Sequence, residues 1–152
     1  MLTVRQITDG VNAALVRLYP DRTVYVEALP EKFARPSFFI RPEGRTITTL
    51  NRDNVQVQQM VTVQCIDTVD DHYAASTDRL YEVADRLTAA LLQRGAIVCG
   101  GRKLTAERVD VSRALDVADV TISMLYEDAR PADPETLPLI ESVQTTTKPK
   151  EG

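Results

Sequence analysis

The sequence holds one histidine and two cysteines, too few for most metal or thiol chemistry. His72 stands beside Asp71 in a polar stretch with no second ligand cluster, so neither a metal centre nor a catalytic dyad is expected there. Cys65 and Cys99 lie in the apolar runs TVQCI and AIVCG, without CxxC spacing. That pattern reads as two reduced core thiols, and a disulfide would need the two runs to be neighbours. Long apolar stretches are also missing. None approaches the ~18 residues of a membrane span, and the N-terminal residues lack the apolar centre of a secretory leader. The reading is therefore assembly in a cytoplasm, without membrane contact. An excess of basic charge is absent too: 18 basic against 22 acidic residues leave a net charge of −4. This argues against a surface that grips nucleic acid. No GxSxG surrounds Ser37, Ser76, Ser112 or Ser123. The stretch CGGRK at 99–103 is followed by a strand pattern, not by the helix a phosphate loop needs. No enzymatic activity and no cofactor are expected.

What is present is an ordinary globular composition, 43% hydrophobic and 26% charged over 152 residues, enough for one domain with its own core. Residues 3–19 carry Val4, Ile7, Val11, Leu15 and Leu18 at helical spacing, with Thr3 and Gln6 placed for a capping box and Pro20 as a stop. Residues 23–28 and 37–41 read as short strands, the second closed by Pro42. Residues 43–53 read as turn-rich. Residues 54–67 alternate with period two: Val55, Val57, Val61, Val63 and Cys65 on one side, Gln56, Gln58, Thr62 and Gln64 on the other. Gln59 and Met60 break the alternation, which predicts a bulge or a sheet end there.

A second helix is expected over 77–94, buried through Leu80, Val83, Ala84, Leu87, Leu91 and Leu92, with Gly95 after its end. Residues 96–99 predict a short strand, Gly100 and Gly101 a turn, and 103–112 with 117–127 a hairpin. The order predicts an α+β domain over 1–127: a mostly antiparallel sheet of about four to six strands with both helices on one face. From 128 to 152 prolines, threonines and lysines accumulate. This reads as a flexible tail, or as an arm that docks on a neighbour through Leu137, Leu139, Ile140 and Val143.

The stretch ARPSFFIRPE, 34–43, poses a problem. Phe38 and Phe39 are adjacent, so a strand sends them to opposite faces. If helices cover one face only, Phe39 needs another cover, either the 103–127 hairpin folding over or another copy of the protein. The glutamine side of 56–64 raises the same question, because long uncharged amides suit either solvent or a polar subunit contact. Arg35 and Arg41 flank the phenylalanines. Arg35, Phe39, Arg41, Gln56, Gln58 and Gln64 are thus the candidate interface residues.

These segments, in this order, resemble the small tail terminator proteins of long-tailed phages, most closely those of contractile-tailed phages and phage-like particles. The matching elements are the helix ending in Leu18-Tyr19-Pro20-Asp21, a strand with Tyr25 and Glu27, and Phe33, Arg35, Pro36, Phe38 and Phe39. The long alternating strand, the DRLYEVADRL helix at 78–87 and the C-terminal hairpin complete them. The resemblance covers about residues 2–127 and brings no catalytic motif. It implies a virion structural protein at the head-proximal end of the tail, forming a homohexameric ring that caps the tail tube and stops its polymerisation. The implied partners are the protein itself, the tube protein, and the sheath and neck or connector proteins, with DNA passing through the lumen unbound. The alternative within the same class is a neck adaptor or tail completion protein.

Overall fold

The computed structural model describes residues 1–72 and 74–131. The expected arm at Leu137, Leu139, Ile140 and Val143 lies outside them.

The first helix, α1 (Val4–Leu18), starts where the sequence places a capping box. Thr3 Oγ1 accepts from the Gln6 N–H at 3.1 Å, and Gln6 Oε1 accepts from the Thr3 N–H at 2.9 Å. Two orphan donors of the first turn are thereby satisfied. The helix buries Ile7, Val11, Ala14 and Leu15 and ends before Pro20. Next comes β1 (Thr23–Val26), shorter than expected because Glu27 takes φ +65°, a left-handed conformation that ends a strand. Then follow β2 (Ser37–Thr49) and β3 (Asn54–Ile66).

The second helix, α2 (Thr77–Leu91), is capped by Ser76, whose hydroxyl accepts from the Arg79 N–H. It stops three residues short of the expected end. Gly95 lies beyond it and donates its N–H to Thr105 Oγ1 at 2.8 Å. A small ribbon, β4 (Ile97–Cys99) and β5 (Arg102–Leu104), is closed by Gly100 and Gly101 at φ +53° and +84°, angles that suit glycine. The chain ends in β6 (Ala106–Arg113) and β7 (Val117–Ala129). The expected 103–112 strand is thus split in two, its first residues pairing with β4.

The main sheet has the order β1-β2-β3-β7-β6, with β1 parallel to β2 and every other pair antiparallel. This is the expected α+β fold. Phe38, Ile40, Val57, Val61, Val63, Cys65, Val120, Ile122 and Met124 point to one side and meet the buried stripes of both helices in a single core. The two cysteines are free and buried, as the apolar runs imply.

Two corrections concern β2. Pro42 does not close it; the strand runs on to Thr49. The last β1 partner is Ile40, so beyond it β2 is a sheet edge, where a missing N–H costs little. The interruption foreseen at 59–60 is real but sits on the opposite strand. Pro42 pairs with Val61 and Arg45 with Gln59, so Glu43 and Gly44 together face Met60, while β3 stays in continuous register with β7. Gln59 consequently keeps the core-facing parity and is fully buried. Its Nε2 donates to the Met60 carbonyl at 3.0 Å.

One packing constraint left no trace in the sequence. Gly10, in mid-α1, lies against the ribbon, and a Cβ there would sit 2.6 Å from both Cys99 Sγ and the Val98 carbonyl oxygen. The absence of a side chain lets helix and ribbon touch backbone to backbone.

Candidate interface on the outer sheet face

Directly opposed residues of an antiparallel pair share a face. Phe39 opposes Gln64, Arg41 opposes Thr62, Thr46 opposes Gln58, and Thr48 opposes Gln56. Five of the six candidate residues therefore lie on the face turned away from the helices. Across β7 the same face continues through Asp119, Thr121, Ser123, Leu125 and Glu127. It is a belt of hydroxyls and amides. The Gln58 Nε2 donates to Ser123 Oγ at 3.3 Å, and the Thr62 and Thr121 hydroxyls bond at 3.1 Å.

The five residues form two groups. Phe39, Arg41 and Gln64 sit near the β1 end. Gln58 and Gln56 sit toward the β2–β3 turn, about 20 Å and about 26 Å from Gln64 at ~3.3 Å per residue. Gln58 is exposed, and Gln56, Gln64 and Arg41 are half-buried. Phe39 is not open: it is 9% exposed in the single chain, buried outside the main core cluster together with Ile66. The Arg41 guanidinium lies 5.7 Å from its ring centre, and Tyr25 and Gln64 are its neighbours in the sheet. The hairpin suggested as its cover does not fold over, since β6 and β7 are strands of the same sheet.

Arg35 precedes β2 and belongs to the end of the sheet. It stacks on Phe33 at 4.8 Å, donates to the Asp67 carbonyl, and pairs with Asp116 at 3.1 Å. Asp67, its carboxylate almost fully buried, in turn pairs with Arg79 at 3.2 Å and accepts from the Thr68 N–H. Three loops are tied together here.

The reading of 103–127 as strands did not extend to its outward side chains. Glu107, Arg108, Asp110 and Ser123 border a shallow hollow with Gln58 and Met60 on this same face. The signal was the alternation of 117–127, which already set Thr121 and Ser123 against Val120 and Ile122. What was missing was the knowledge that β7 lies between β3 and β6.

At the opposite end of the sheet, Asp128 accepts from the Leu2 N–H at 2.8 Å and the Ala129 N–H at 2.9 Å, and pairs with Arg102 at 3.4 Å. Burial alone would raise its carboxyl, but these donors outweigh burial and hold it below its ordinary 3.8. The thiols go the other way: burial pushes Cys65 up to about 12 and Cys99 up to about 11, so both are unreactive at neutral pH. His72 is exposed, and its N–H donates to Asp70 Oδ1, a turn contact. Among the described residues no three His, Cys, Asp or Glu side chains are placed to hold a metal ion. Among the described residues no helix is long and apolar enough to cross a membrane. The outer face is a hydrogen-bonding surface with little charge at its centre.

Residues 6–135 match a family model described as "Phage tail terminator protein". No curated protein matches. A solved structure matches at 16% identity over 82% of this chain and 96% of the other, with a TM-score of 0.37, too low to bear on function.

Proposed function

The chain belongs to the phage tail terminator family, and from that membership we propose that it caps the tail tube as a ring, expected to be hexameric. In this reading the ring halts polymerisation of the tube at its head-proximal end and offers its other side to the connector. The match over residues 6–135 carries the reading, since it spans the whole described fold after the first turn of α1. A phage tail component with no recognisable chemistry acts by what it touches. A closed ring requires head-to-tail contacts, in which each subunit uses two different patches. The belt around Gln56 and Gln58 supplies one candidate patch: it is polar, it lies outside the core, and its donors and acceptors are only partly used within the chain. The net charge of −4 suits a lumen through which DNA slides.

Negative-stain electron microscopy of particles made without this gene tests the proposal. Tubes or sheaths of excessive, uncontrolled length are the expected result. Tails of normal length that fail to join heads would assign the protein to the neck instead. Normal infectious particles would overturn both assignments.

A further inference from the structure

On the helix side of the sheet, the C-terminal ends of α1 and α2 and the β4–β5 ribbon border an open hollow of about 620 Å³. Leu18, Leu91 and Val98 give it an apolar lining; Arg17, Arg94 and Lys103 stand around it. Val98 is 45% exposed, because Ile97 and Cys99 on either side turn into the core and leave it facing out. The three cations are exposed, and none makes an ion pair among the described residues. A helix C-terminus attracts cations by itself, which accounts for Arg17 and bears on Arg94. It accounts neither for Lys103, which is on a strand, nor for the open apolar lining.

The same chain carries a surface of the opposite sign. Asp78, Tyr81, Glu82 and Asp85 are exposed on α2. At 3.6 residues per turn they fall within an arc of about 100°. That arc lies opposite the buried Leu80, Ala84, Leu87 and Leu91. None of the three acids makes an ion pair among the described residues. Asp78, in the first turn, suits the positive end of the helix. Glu82 and Asp85 lie beyond that turn, and like charges three and four residues apart destabilise a helix. Among them Tyr81 is 44% exposed. An aromatic ring flanked by carboxylates complements an apolar hollow flanked by cations. The stripe from Asp78 to Asp85 is ~10 Å long, the scale of a hollow of about 620 Å³.

A single chain cannot bring the two together. Both are fixed to α2: the acids point away from the core between its start and its middle, and the hollow lies beside its last turn. A second copy can. We propose that the Asp78–Asp85 stripe of one copy docks in the hollow of the next. Tyr81 then packs against Leu18, Leu91 and Val98, and the carboxylates stand among Arg17, Arg94 and Lys103. The two surfaces differ, so each copy turns one of them to each neighbour, which is the head-to-tail contact a ring requires. This contact deepens the ring reading and rests on it; the belt at Gln56 and Gln58 lies outside it.

The test mixes two purified full-length chains under mild oxidation, one carrying Tyr81→Cys and the other Val98→Cys. The native thiols are buried and stay silent. In a control the second chain carries Ile47→Cys instead, at a similarly exposed position on the β2–β3 hairpin. We expect the disulfide between 81 and 98 to form at least tenfold faster than that between 81 and 47, and faster than either chain pairs with itself. Asp78→Lys, Glu82→Lys and Asp85→Lys in the first chain should slow it several-fold. Arg17→Glu, Arg94→Glu and Lys103→Glu in the second should then restore it. Where a reversed first chain unfolds early in urea, Asp78→Asn, Glu82→Gln and Asp85→Asn take its place, with slowing again expected. Pairing at the control rate, or indifference to the charge changes, would overturn the proposal. Overlong tails in the absence of the gene, together with no preference for position 98, would sink this contact and leave the ring standing. Normal tails, together with fast and charge-dependent pairing, would sink the ring and leave the contact.

Discussion

At Gly10 two residue-level effects oppose each other. Alanine is better than glycine inside a helix by about 1 kcal/mol. A methyl group at this position, however, would meet the Val98 carbonyl oxygen at 2.6 Å, and a backbone atom cannot yield without moving the ribbon. Overpacking of that kind costs typically 1–3 kcal/mol. We expect Gly10→Ala to lower stability by up to about 2 kcal/mol in urea unfolding, against the propensity trend; a gain would mean the ribbon gives way. Nothing in the sequence marks this glycine, since its partner lies 88 residues away and a glycine inside a helical pattern carries no sign of a contact. Phe39 is the converse case. Period two correctly sent it to the outer face, but its cover comes from its own chain, from Arg41 and the neighbouring strands, and periodicity does not report that. At 9% exposure it leaves a neighbour little area to gain. Phe39→Ser should therefore destabilise the isolated chain by about 3–4 kcal/mol, the usual scale for truncating a buried aromatic. A variant with an unchanged unfolding midpoint would show that the ring is covered only on assembly.

Among the elements, both helices and β3 were legible because their signals are local: a capping box, a 3.6-residue stripe, a period of two. The strand β2 was misjudged for an equally local reason. Pro42 reads as a stop unless one knows that β1 has already ended, and the bulge shows in β3 as the misplaced Gln59 although the extra residue lies on β2. The long-range tie at Asp128 was not legible either. It joins the start of α1, through the Leu2 N–H, to the end of β7 and to β5, through Arg102. Its effect on stability has a definite sign. A carboxyl held below its ordinary 3.8 in the folded chain contributes stability that is fully present above that value. This contribution fades as pH falls through the lower, folded value. Asp128→Asn should cost about 1–3 kcal/mol at neutral pH, the scale of hydrogen bonds to a charged group. It should also flatten the acid limb of the stability curve below pH ~4. Urea midpoints of both proteins between pH 2.5 and 7 would show this; parallel curves would mean the tie adds nothing.

For the whole molecule, the order of elements gave the class and the count of helices, but not the neighbours. That β7 crosses to lie between β3 and β6, and that β1 runs parallel, are decided by which apolar faces can share one core. The outer face follows from that topology, and so does the clearest test of whether it meets another subunit. Gln58 is exposed and bonds Ser123 Oγ, and Gln56 stands two residues along the same strand. Glutamate has nearly the same shape, and at position 58 it can accept from the serine hydroxyl instead. In the single chain Gln56→Glu with Gln58→Glu should cost no more than about 1 kcal/mol, the scale of the like-charge pair that position 56 then makes with Glu127 directly across on β7. Within a subunit contact the same two charges lose water without gaining a cation, which costs several kcal/mol. The double variant should then unfold in urea within that margin of the parent, yet fail to restore normal tail length when supplied to particles lacking the gene. Tails of normal length would place the contact elsewhere on the subunit and leave this face to solvent. A loss of stability well beyond about 1 kcal/mol in the free chain would show instead that the glutamines serve the sheet itself.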